Sequence, residues 1–107
     1  MNIKVLAAAA IAAVAGVTGF PQALAAESDI VLGDIDDLSG LYADIQGTGG
    51  VEAMKMAIAD SGGTVLGRNV QILVADHQNK PDIGASKFRE WADRKGLNFL
   101  IAGANTG

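Results

Sequence analysis

The chain changes its hydrophobic period repeatedly, and that alternation restricts it to one kind of architecture. Ile30-Val31-Leu32-Gly33-Asp34-Ile35 is a short, mostly apolar run, the pattern of a strand buried on both faces. From about Gly49 to Asp60 the period becomes helical, with Val51, Met54 and Ile58 on one stripe and Glu52 and Lys55 off it. Ser61-Gly62-Gly63 stops that helix, and Thr64 to Asn69 reads as a turn. Val70 to Ala75 is a second apolar run and Asp76 to Lys80 a polar loop. Pro81 suits a first helical position, where its missing N–H costs nothing. The helix it opens runs to about Lys95, with Gly84, Phe88, Trp91 and Ala92 as the apolar stripe and Gly96 as the stop. Arg89–Asp93 and Glu90–Arg94 have the i,i+4 spacing of surface ion pairs. Leu97 to Ala102 is a third strand, followed by the start of a loop at Ala104-Asn105-Thr106-Gly107.

The order is β-α-β-α-β, which predicts an α/β fold with a parallel sheet and right-handed crossovers. Three strands and two helices leave such a sheet incompletely covered. The chain is therefore expected to be the start of a larger domain, a fragment or a truncated product.

Residues 1–25 have the three parts of a secretory leader. Lys4 is a positive start, Val5 to Phe20 an uncharged run of 16 apolar and small residues, and Ala23-Leu24-Ala25 a small-residue cleavage site. The run is shorter than the ~20 residues that span a bilayer core, and acidic residues follow it. Cleavage after Ala25 is expected, with Ala26 as the alternative, leaving 26–107 as an exported segment without membrane insertion. There are no cysteines, so disulfides, thiolate metal sites and a lipid-modified cysteine are excluded. The chain carries 8 basic and 12 acidic residues, net −4. That balance argues against a nucleic-acid partner, which asks for clustered Lys and Arg.

In an open parallel sheet, ligands bind beyond the carboxyl ends of the strands. Three loops converge there, carrying 36–44, 76–79 and 105–107. Their hydroxyls, amides and one tyrosine suit a small polar solute, and they do not assemble a reaction. Asp34, Asp36 and Asp37 have the composition of a cation site, but acids in a strand-to-helix loop more often cap backbone N–H groups or face water. His77 stands beside Asp76 with no nucleophile pattern near it, which favours a loop hydrogen-bonder over a general base. Gly47-Thr48-Gly49-Gly50 precedes a helix but lacks the Gly-Lys-Ser/Thr of a phosphate loop and the third glycine of a dinucleotide fingerprint. The N-terminus of the helix after it favours a carboxylate. Trp91 reads as core, and Tyr42 as a residue in the mouth of the first loop.

Ile30-Val31-Leu32-Gly33 leading into Leu38-Ser39-Gly40-Leu41-Tyr42-Ala43-Asp44 resembles the first strand and loop of branched-chain amino-acid-type (leucine-binding-protein-like) solute-binding proteins of ABC importers. Val51 to Ile58, Val65-Leu66-Gly67-Arg68 and Ala75 to Ile83 resemble the segments that follow in that family. The resemblance implies a flavodoxin-like lobe of a type I periplasmic binding protein, which closes with a second lobe on its ligand. It implies capture of an amino acid, an amide or an aromatic or other organic acid, delivery to a membrane permease, no catalysis and no cofactor. It places Thr106, with Asn105 beside it, on the ligand's carboxylate, and Ser39 and Tyr42 among the first-loop contacts. A sensory domain of the same fold is the alternative. A phosphoacceptor receiver domain needs an aspartate at the end of the third strand, where this chain reads Ala102-Gly103-Ala104-Asn105, and an exported hydrolase needs a nucleophile turn that the sequence does not carry.

Overall fold

The computed structural model describes residues 27–103 and 105. Residues 1–26, on which the expected leader falls, and Ala104, Thr106 and Gly107 lie outside the described residues. The elements are β1 (Ile30–Asp36), α1 (Gly47–Asp60), β2 (Thr64–Val65), β3 (Arg68–Asp76), α2 (Pro81–Arg94) and β4 (Leu97–Ala102). They form one sheet in the order β2-β3-β1-β4.

Strand β1 sits between two parallel partners. Ile30 to Asp36 pair in unbroken register with Val70 to Asp76 of β3. On the other side Val31 pairs with Leu97 and Leu32 with Phe99, so one residue of β4 is skipped. The skipped residue is Asn98, whose Oδ1 accepts the Val31 N–H at 2.8 Å in place of a ladder carbonyl. A polar side chain thus repairs the backbone bond that the register shift removes.

The chain leaves β1 for β3 on one side, then crosses back over β1 to β4 on the other. Right-handed crossovers in opposite directions put their helices on opposite faces. Helix α1 covers the face carrying Ile30 and Leu32, where Ala57 and Ile58 meet Val70 and Phe99 around an apolar recess. Helix α2 covers the face carrying Gly33 and Ile35. One helix per face is thin cover, as the sequence implied. Phe99 stays 61% exposed, and Val74 and Phe88 are also exposed. Among the described residues the buried apolar side chains are Ile35, Val51 and Trp91.

Several expectations are corrected. The stretch 64–69 is not simply a turn, because Thr64 and Val65 pair antiparallel with Asn69 and Arg68 to make a small hairpin. Leu66 and Gly67 form its two-residue loop, both with positive φ (52° and 76°), the backbone that matches the twist of a tight hairpin. A leucine in that position hides the usual Asn-Gly signal. The sheet is therefore mixed, with a parallel centre. Helix α1 begins at Gly47, two residues earlier than its hydrophobic stripe suggests. On α2, Trp91 is buried as expected, but Ala92 is exposed and Phe88, though it lines the recess between α2 and the sheet, stays 44% exposed. The expected i,i+4 pairs do not form. Lys87 instead takes Glu90 at 2.8 Å, an i,i+3 pair. Pro81 opens α2 and Gly96, at φ 65°, follows its end, both as read from the sequence.

Candidate ligand-binding site

The winding of the chain reverses at β1, so the crevice beyond the carboxyl ends of β1 and β4 is the switch point where open α/β sheets take ligands. Three loops stand there, and hydrogen bonds join them into one wall.

The first loop, 37–46, is organised by Asp37. Its carboxylate is fully buried. Oδ1 accepts the Gly40 N–H at 2.7 Å and Oδ2 the Tyr42 N–H at 3.0 Å. Asp36 Oδ1 accepts the Asp37 N–H at 3.0 Å. These two acids do what acids in such loops commonly do, which is to satisfy backbone donors. Asp34 does neither of the things expected of it. It neither caps the loop nor faces water, being buried within the sheet at 2% exposure. Burial, reinforced by the negative charge of Asp36, pushes its carboxyl above the usual carboxylate range. Among the described residues no group of acids, histidines or cysteines is arranged to hold a metal ion.

Asp76, at the end of β3, ties the first loop to the second. Its Oδ2 accepts the Ser39 hydroxyl at 2.5 Å, and its Oδ1 accepts the N–H groups of Leu38 (3.0 Å) and Gln78 (2.8 Å). The Ser39 hydroxyl is the main cause holding the Asp76 carboxyl below its usual range. The Gln78 and Leu38 N–H groups add to it, against some desolvation. Gln78 and Asn79 both lie in the left-handed region, at φ 52° and 56°. Non-glycine residues there cost roughly 1–3 kcal/mol each. The Gln78 bond to Asp76 and the Asn79 N–H bond to His77 Nδ1, at 2.9 Å, offset that cost.

His77 ties the second loop to the end of β1 and to the third loop. Its backbone N–H donates to Asp36 O at 2.9 Å, and its Nε2 faces Gly103 O at 3.2 Å. A backbone N–H only donates and a carbonyl only accepts, so the ring is neutral, unprotonated at Nδ1 and protonated at Nε2. It acts as the loop hydrogen-bonder read from the sequence. Asn105 Nδ2 donates to Asn79 Oδ1 at 2.6 Å, a second link to the third loop. Gln46, at the foot of α1, packs against Gly103.

Of the four residues expected to touch ligand, Ser39 is exposed on the first loop and held by Asp76. Tyr42 is half-buried beside it, with its N–H on Asp37. Asn105 lies across the mouth at the rim of a cavity of about 230 Å3 between α2 and the sheet, which His77, Phe88 and Leu100 also line. Ser39 and Tyr42 do not line that cavity. Their connection to Asn105 runs through the second loop. Thr106 lies outside the described residues. Sequence reasoning missed Asp76, Asn79 and Gln46 as organisers of the mouth. The available signal was an aspartate closing a strand that neighbours the first loop.

A family model described as periplasmic binding protein matches residues 29–107. The chain belongs to the periplasmic binding protein family. A periplasmic binding protein from Burkholderia mallei is similar at 58% identity and a TM-score of 0.72, over 73% of this chain and 21% of that one. A branched chain amino acid ABC transporter periplasmic ligand-binding protein from Burkholderia xenovorans is similar at 42% identity and a TM-score of 0.70, over 74% of this chain and 21% of that one. A solute binding protein of an ABC transporter from Rhodopseudomonas palustris, solved with 3,4-dihydroxy benzoic acid, shares the fold at 23% identity and a TM-score of 0.62, over 68% of this chain and 20% of that one. No curated protein matches the chain. The chain spans about a fifth of the length of these solved structures. The type I fold and the leucine-binding-protein-like family read from the sequence both hold. Among the described residues no helix is long and apolar enough to cross a membrane.

Proposed function

We propose that this chain forms part of the first lobe of an exported, periplasmic solute-binding protein. The protein captures a small organic solute and hands it to the membrane permease of an ABC importer. The solute is an amino acid, an amide or an aromatic or other organic acid, held by hydrogen bonds without reaction or cofactor. Residues 1–25 serve as the cleaved leader. The observation that carries the reading is the wall of three loops, joined through Asp76 and His77, at the switch point of a sheet whose family is one of periplasmic binding proteins. Domain closure against a second lobe would complete the cleft. Ser39 and Tyr42 contribute from the first loop, and Asn105 and Thr106 from the third, with Thr106 on the solute's carboxylate.

The test is a comparison of two variants in the full chain. Thr106→Ala is expected to weaken solute binding with little change in stability, whereas Trp91→Ala mainly destabilises. Unchanged affinity in Thr106→Ala would remove Thr106 from the site.

A further inference from the structure

We propose that the first-loop side of the mouth accepts a hydrogen-bond donor of the solute, an ammonium, amide N–H or hydroxyl, on Ser39 Oγ, and turns a carboxylate away. This deepens the solute-binding reading and rests on it. Ser39 has one hydroxyl proton, and Asp76 Oδ2, 2.5 Å away, takes it. The direction of that bond is fixed. An ionised carboxylate only accepts, and the Asp76 carboxyl is held below its usual range, so it is ionised at neutral pH. The exposed Ser39 oxygen is left with lone pairs only. Its donation to a carboxylate makes it a stronger acceptor, because successive hydrogen bonds polarise one another.

The backbone of the loop points to the same polarity. The N–H groups of Asp37, Gly40 and Tyr42 are committed to the carboxylates of Asp36 and Asp37. That of Leu38 goes to Asp76, and those of Ala43 and Ile45 to carbonyls within the loop. These six donors are already committed within the protein and are not offered to an anion. An anionic group brought to Ser39 would meet an acceptor with the Asp76 charge directly behind it. A cationic or neutral donor meets the reverse. The solute therefore enters with its donor end toward the first loop, which leaves its carboxylate for another part of the cleft.

The experiment is titration calorimetry on the full chain with two matched pairs, L-leucine against 4-methylpentanoate and 4-hydroxybenzoate against benzoate. The donor-bearing member of the pair that binds is expected to bind about tenfold tighter or more. Ser39→Ala is expected to remove most of that preference while leaving the donor-less partner unchanged, and Ser39→Thr to restore it. Asp76→Asn, with folding checked by its melting curve, is expected to narrow the preference as well. Binding of a pair with no difference between its members, or an equal loss for both in Ser39→Ala, overturns the inference and leaves the solute-binding reading intact. If no compound binds a folded full chain, the amino-acid and aromatic-acid readings of the function fall, and this inference falls with them.

Discussion

The indole ring of Trp91 lies so close to Gly33 that a β-carbon at that position would stand 2.9 Å from ring atoms Cε3 and Cζ3, and 2.8 Å from Leu97 Cδ1. This contact seats α2 on the centre of the sheet, and Trp91 is 5% exposed because of it. A methyl group at Gly33 must push against the Leu97 side chain on one side and the indole ring on the other. Gly33→Ala is therefore expected to cost about 1–3 kcal/mol. Trp91→Ala is expected to cost about 3–5 kcal/mol through the cavity it leaves. The double variant should be less damaging than the sum, because removing the ring makes room for the methyl. Urea unfolding of the three variants in the full chain checks this.

The first loop depends on a second close approach. A β-carbon at Gly40 would lie 2.5 and 2.6 Å from the two carboxylate oxygens of Asp37. Gly40→Ala is expected to displace that buried carboxylate from the Gly40 and Tyr42 N–H groups. Leaving buried polar groups unpaired costs roughly 1–3 kcal/mol. Amide exchange at Tyr42 should rise sharply, and exchange rates unchanged from wild type would show that Asp37 does not hold the loop.

Two carboxyls give stability opposite pH dependences in adjoining windows. Asp34 is raised in the folded state by burial and by Asp36. A raised carboxyl binds its proton more tightly when folded, so stability is gained as pH falls from neutral through the raised value, down to the ordinary value of 3.8. Asp76 is lowered, chiefly by the Ser39 hydroxyl, so its contribution is present above 3.8 and is lost as pH falls below that through the folded value. Asp34→Asn is expected to abolish the first effect and keep the second. Melting temperatures across the acid range, wild type against variant, decide it. Parallel profiles would contradict the account of Asp34.

The tautomer of His77 is a further check. With Asn79 N–H donating to Nδ1 and Nε2 donating to Gly103 O, nitrogen-detected NMR should show a neutral ring protonated at Nε2. His77→Ala should speed amide exchange at Asn79 and leave β1 amides unaffected. A ring protonated at Nδ1 would mean that the loops are joined some other way.

The strands and helices were legible because their signals are periodic and local. Ile30 to Ile35 and Val70 to Ala75 are apolar runs, and Pro81 and Gly96 bracket α2. Trp91 was legible as core from its stripe. Phe88 on the same stripe was not, because periodicity defines a face but not how much of it the sheet reaches. The short β2 was hidden by Leu66 in a turn position that normally advertises itself with asparagine or glycine. In the site, the mouth itself followed from topology, and Ser39, Tyr42 and Asn105 were placed on the loops that form it. Asp76, Asn79 and Gln46 were not singled out, because their roles are contacts between loops far apart in sequence. Asp76 reaches Ser39 across 37 positions. Asp34 looked like another loop acid and is instead inside the sheet, a difference of three residues from Asp37 that the alternation of a strand converts into a different environment.

The central claim, that the protein captures a small organic solute, is tested most directly by calorimetric titration of the full chain with a panel of amino acids, amides and aromatic acids. The account predicts saturable binding of at least one class at one solute per chain, with a melting temperature that rises with solute concentration. A chain that melts cooperatively yet binds no member of the panel, with no shift in its melting temperature, would contradict it.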